Sequence, residues 1–206
     1  PFTDLPQIDR VTGAKGGLLD AKRDAPLPSD VRIYHLTGLQ HFSGPFPPAK
    51  GIDDLQGQSP QSPLPVNLFW RAMIANIDAW VRNGTAPPES SYPKIANGTL
   101  VPLSRLKFPA IPGVNKPHEA NSAYRLDFGP KWRDGFLTLQ PPKIGEAFPV
   151  LVPQVDADGN ELSGVRLPQI AAPLATYTGW NLRDPAIGAP DQRVSFLGSY
   201  LPFPKT

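Results

Sequence analysis

Three histidines carry the side chains in this sequence best suited to proton transfer, and His41 has the most suggestive setting. It closes the run Val31-Arg-Ile-Tyr-His-Leu-Thr-Gly-Leu-Gln-His41, an apolar stretch that ends in a glycine-bearing turn. Val31, Ile33 and Tyr34 favour a pleated, buried conformation, and Gly38 would stop the strand and leave His41 on an exposed loop. Imidazole changes protonation near neutral pH, so a histidine aimed by a rigid strand end can act as a general base. An ordinary surface-loop histidine fits the same residues. His35, inside the run, alternates with Tyr34 and reads as a core or supporting group, whereas His118, beside Glu119 in a polar segment, is expected to be exposed.

A base of this kind needs a nucleophile to serve and an acid to hold its tautomer. No G-x-S-x-G turn occurs. Ser29 precedes His41 without flanking glycines, and Gly57-Gln-Ser-Pro-Gln61 lacks the second glycine and carries proline where a helix should start. Asp20, Asp24, Asp30, Asp53 and Asp54 surround the run, and context distinguishes none of them. A second cluster, Thr176-Tyr-Thr-Gly-Trp-Asn-Leu-Arg183, gathers Trp180, Asn181 and Arg183 beside a glycine. It could line a polar-aromatic pocket or simply be a Trp-anchored loop bonded to its own backbone. Asp156-Ala-Asp-Gly-Asn-Glu161 lacks the ligand spacing and distal glutamate of a calcium loop, and no H-E-x-x-H spacing is present. Neither a metal nor a cofactor is expected.

The elements that must position these groups follow from periodicity. Val66, Trp70, Met73, Ile74, Ile77 and Val81 recur at intervals of three and four, predicting a helix over 65–82 with one apolar stripe. Pro65 suits its first turn, and Asn83-Gly84 supplies a left-handed cap before Pro87-Pro88. Residues 1–30 read as connecting structure. Two hairpins are expected, one over 92–103 around Asn97-Gly98 and one from Val150 through Asp158-Gly159 to Leu167. The sequons at Asn83 and Asn97 coincide with the helix end and a turn, and are read as structural.

With 206 residues the chain can form one ordinary domain, but 28 prolines and 18 glycines argue against long helices or a large regular sheet. The net charge of +2 is spread among scattered Lys and Arg, which excludes a nucleic-acid partner. Without cysteine, disulfides and thiolate metal sites are excluded. No apolar run approaches the length that spans a bilayer.

Taken together, these blocks resemble the α/β-hydrolase domain-containing proteins of bacteria and fungi, large and mostly uncharacterised ester hydrolases. The resemblance covers nearly the whole chain and rests on VRIYHLTGLQH (31–41), RAMIANIDAWVRNGTAPPESSYPKIANGTLV (71–101), FPAIPGV (108–114), VLVPQVDADGNELSGVRLP (150–168), PLATYTGWNLR (173–183) and GSYLPF (198–203). It implies an α/β fold. Residues 1–86 would be the end of the hydrolase core, with strand 31–37 as its last strand, the histidine loop and the helix over 65–82. Residues 87–206 would be a proline-rich, mostly β or irregular extension beside the active site. His41, in Gly38-Leu-Gln-His41, would be the triad histidine.

The resemblance further implies an exported protein and a nucleophilic serine on a segment that nothing here matches. Residues 1–21 resemble a family block, but Lys22 to Asp30 replaces a longer step before the strand. Two readings follow. In the first, the chain is the C-terminal part of a serine ester hydrolase, with His41 as base toward a serine on another segment or polypeptide, a small-molecule ester as substrate, and Gln40, Trp180, Asn181 and Arg183 as substrate contacts. In the second, it is a catalytically inactive binding or structural module in which Trp132, Tyr177 and Trp180 line a ligand pocket. On either reading, the strand and helix stripe need partners, so the isolated chain is expected to be aggregation-prone or tightly complexed.

Overall fold

The computed structural model describes residues 21–204. Asp20 and the glycine-rich stretch from Gly13 to Gly17 fall outside that range.

Proline dominates the architecture. Each proline removes a backbone donor, so regular elements are short and loops carry much of the packing. The strands β1 (Leu100–Pro102), β2 (Tyr124–Asp127), β3 (Lys143–Ala147), β4 (Leu151–Pro153), β5 (Ala175–Thr178) and β6 (Ser199–Pro202) form three separate two-stranded antiparallel ladders, β1 with β4, β2 with β3 and β5 with β6. The helices are α1 (Asn67–Asn83) and the single turn α2 (Pro168–Ala171).

The segment 31–37, expected as a core strand, instead makes two isolated parallel bridges, Tyr34 with Ser91 and Leu36 with Val165. The His35 amide donates to the Ser91 carbonyl at 2.9 Å, and the Val165 amide donates to the His35 carbonyl at 2.7 Å. Neither neighbour can extend the pairing. Pro93, two residues after Ser91, has no N–H for the next bond, and beyond Val165 the 31–37 segment ends in the turn at Gly38.

Helix α1 forms where the periodicity places it, and it stops at Gly84. That residue adopts φ +67, and the Gly84 and Thr85 amides return to the Trp80 and Ala79 carbonyls at 3.0 and 3.3 Å. The apolar stripe divides differently from expectation. Phe69, Met73, Asn76 and Trp80 form the half-buried row, while Trp70, Ile74, Ile77 and Val81 are exposed. Both rows are spaced for one helix face. The row that packs contains Phe69, which joins the core, and Trp80, over which the Arg32 guanidinium stacks at 5.1 Å.

The core consists of Leu39, Leu64, Leu167, Ile170, Ala175 and Tyr177, with Leu36, Val66, Phe69 and Tyr200 against it. It therefore joins the start of α1, α2, the β5–β6 ladder and the end of the 31–37 segment. The β2–β3 ladder, by contrast, is exposed along its full length.

The expected hairpin over 92–103 does not form. A tight turn does close there, with the Thr99 and Leu100 amides on the Lys94 carbonyl at 3.1 and 3.0 Å, but Pro93 has no N–H to continue a ladder and β1 pairs with β4 instead. Beyond β4, the chain folds back through Asp156 to Gly159 and closes with a single Val155–Glu161 bridge and a Leu162 amide bond to the Gln154 carbonyl at 3.0 Å.

Candidate functional site

The loop that carries His41 is fixed at both ends. Gly38, at φ +62, makes the turn out of the 31–37 segment, and a Cβ there would lie 2.9 Å from the Tyr177 carbonyl oxygen, so both backbone conformation and space require glycine. The Gly38 amide donates to Glu161 Oε2 at 2.9 Å. Beyond it Leu39 enters the core, and Gln40 Nε2 donates to the Ser62 carbonyl at 2.8 Å. The Phe42 amide reaches the Phe196 carbonyl at 3.2 Å, Ser43 Oγ the Leu64 carbonyl at 2.7 Å and the Gly44 amide the Ser62 carbonyl at 2.7 Å. Between these ties His41 is exposed.

Two rings hold the His41 imidazole. Phe42 meets it edge-on with centroids 4.5 Å apart, and Phe196 lies tilted at 4.8 Å. The two phenyl rings are themselves 5.9 Å apart in an edge-to-face arrangement. His41 opens onto a cavity of about 1290 Å³, whose wall also includes Gln40, Trp70, Tyr124, Trp180 and Phe196. His35 and His118 reach the same cavity. Among the described residues no hydrogen bond or ion pair joins a carboxylate to His41, and no group of three or more metal-ligating side chains occurs.

The carboxylate–imidazole pair belongs to His35. Its Nε2 lies 2.7 Å from Glu161 Oε2, and both side chains are buried. An ionised carboxylate only accepts, so Nε2 carries the shared proton. Burial pushes the Glu161 carboxyl upward, but the His35 charge and hydrogen bond, with smaller contributions that include the Gly38 amide, outweigh it and hold the group below its ordinary value. One oxygen therefore ties the 31–37 segment and the Gly38 turn to the loop after β4. Sequence reasoning gave His35 a supporting role but did not find Glu161. The available signal was a histidine at an inward-facing strand position, which requires a polar partner.

The other expected contacts separate. Gln40 and Trp180 line the cavity, and both are buried. Asn181 is a core amide: its Nδ2 donates to the Ser59 carbonyl at 2.8 Å and its Oδ1 accepts the Ser59 amide at 3.3 Å. Arg183 is fastened to the Gly188 and Ile187 carbonyls at 3.0 and 2.8 Å and does not line the cavity. Trp132 is exposed and absent from the cavity wall, whereas Tyr177 and Trp180 share a crevice of only about 20 Å³. Of the candidate acids, Asp24 caps the Ile95 and Ala96 amides at 2.8 and 2.9 Å, Asp30 lies exposed on a turn, and Asp53 and Asp54 lie exposed in a short 3-10 helix over Asp53–Leu55.

Phe42, Phe196 and Tyr124 were not found from the sequence, because their roles depend on contacts between remote loops. Phe196 has one local peculiarity that its residue type does not announce: it sits at φ +63.

Compared with known families, residues 7–206 match the model described as alpha/beta hydrolase domain. No curated protein and no solved structure matches the chain.

Proposed function

Because the chain belongs to the alpha/beta hydrolase domain family, we propose that it supplies the histidine side of a serine ester hydrolase, with His41 as general base toward a serine outside this chain. The observation that carries the reading is the exposed His41 imidazole, on a loop fastened on both sides, opening onto the large cavity. A small-molecule ester enters that cavity. As serine Oγ attacks the carbonyl carbon, His41 takes the hydroxyl proton, and the tetrahedral oxyanion forms beside backbone donors. The imidazolium then returns the proton to the departing alkoxide. Water, deprotonated by the same nitrogen, releases the acid from the acyl-enzyme and restores the serine.

The competing reading is a catalytically inactive binding module. It draws on the pairing of Glu161 with His35 rather than with His41, which makes the carboxylate–imidazole pair a buried structural tie.

A fluorophosphonate probe on the native sample, followed by denatured intact masses, tests both. A labelled companion, or a labelled chain heavier than these residues allow, supports the hydrolase. A single unlabelled species with the mass of this chain supports the binding module. In a preparation that is labelled and active, His41→Ala is expected to lower kcat/KM by at least a thousandfold. Retained turnover would remove His41 from the mechanism.

A further inference from the structure

The geometry points to an aryl-recognition site beside His41, so that the ligand placed against the imidazole carries an aromatic ring; that this ligand is an ester rests on the functional reading above, whereas recognition of the ring does not.

Three observations converge. First, the imidazole is flanked by Phe42 and Phe196, both more than half exposed at 55% and 60%. Each phenyl ring thus has surface left over after its contact with His41. Second, Phe196 holds a left-handed backbone conformation, φ +63, which a bulky L-residue rarely adopts and which glycine or asparagine would adopt at lower cost. Its carbonyl accepts the Phe42 amide, so the backbone that carries Phe196 is tied to the backbone beside His41. Backbone strain kept at a bulky side chain in a cavity wall is characteristic of ligand clamps. Third, Trp70 and Tyr124 expose large parts of their rings to the same cavity, so aromatic surface approaches from α1, β2 and the Phe196 loop.

The chemistry of this wall selects an aryl group over an alkyl chain. The cavity wall presents the rings of Trp70, Tyr124 and Phe196 beside His41, whose quadrupoles favour an incoming ring edge or face; an aliphatic group fills the volume without that contact. The cavity, at about 1290 Å³, exceeds the size of one ring. His118, Glu119, Asp191 and Arg193 also border it and provide polar surface for the rest of the ligand.

The test uses the full chain and N-(2-naphthyl)acetamide, an uncleaved amide analogue of a naphthyl ester, read by naphthyl fluorescence anisotropy and by the NMR shift of the His41 Cε1 proton. Saturable binding that moves this resonance by ring current is expected, with N-cyclohexylacetamide bound about fivefold more weakly or worse. Phe196→Asn keeps a residue that accepts positive φ but removes the ring, and should weaken naphthyl binding about fivefold or more. Trp70→Ala, at an exposed position on α1, should also weaken it and does not depend on the Phe196 backbone. Trp132→Ala, outside the cavity wall, should leave it unchanged. Absence of saturable binding, equal affinity for the cyclohexyl compound, or equal losses at Trp132 and Trp70 would overturn the inference. Binding needs no turnover, so a sample without an activated serine that still binds the naphthyl amide would sink the hydrolase reading alone.

Discussion

At the residue scale the decisive group is Glu161, whose single Oε2 serves both His35 and Gly38. Replacing it with glutamine keeps an acceptor but removes the charge, at an expected cost of roughly 2 kcal/mol near neutral pH. The pH dependence has a definite sign. The folded state holds this carboxyl below its ordinary value of 4.5, so the unfolded chain takes up the proton first on acidification. The stabilisation is present above about pH 4.5 and disappears as pH falls toward the folded-state value. Urea unfolding at pH 6 and pH 3.5 should show the wild-type advantage over Glu161→Gln shrinking at the lower pH; a constant difference would disconnect the carboxylate from stability. His41 was legible in the sequence as a loop histidine because Gly38 announces the turn before it. Its aromatic flanks were not, since nothing local in Ser195-Phe196-Leu197 announces that the chain returns to His41.

At the scale of elements, α1 shows how far periodicity reaches. The apolar spacing and the Asn83-Gly84 signal give the helix and its end, yet they do not choose between two equally spaced rows, the one that packs including Asn76. Packing chooses, and it leaves Trp70, Ile74, Ile77 and Val81 outward. Changing Ile74 and Ile77 together to lysine should therefore leave the midpoint of urea unfolding within the small range typical of surface substitutions, while raising solubility and reducing association in sedimentation velocity. A large loss of stability would mean that this row is covered. The strand expectations fared worse for a physical reason. Short β segments pair with whichever edge has free donors, and the prolines that decide this are distributed along the chain. Pro93 ends the expected 92–103 hairpin, and β1 finds β4 instead.

At the scale of the molecule, membership of the alpha/beta hydrolase domain family coexists, among the described residues, with ladders that are all antiparallel and two-stranded. Order is unevenly distributed among them. The β5–β6 ladder is largely buried and contributes Ala175 and Tyr177 to the core, whereas every residue of β2 and β3 is exposed. Local opening follows contact density, so amide exchange should be slowest at Thr176 to Thr178 and much faster at Arg125, Leu126 and the β3 amides. Equal protection of the two ladders would show that β2–β3 is covered in solution.

The shared oxygen of Glu161 also sets a timetable. His35 and Gly38 leave the ribosome more than a hundred residues before the carboxylate that fastens them, and Phe196, which grips the imidazole, comes later still. The histidine loop can take its final geometry only after Phe196 has been made. Premature termination anywhere before Glu161 leaves His35 without its carboxylate and the Gly38 turn unfastened, with the His41 loop held only by its ties to Ser62 and Leu64.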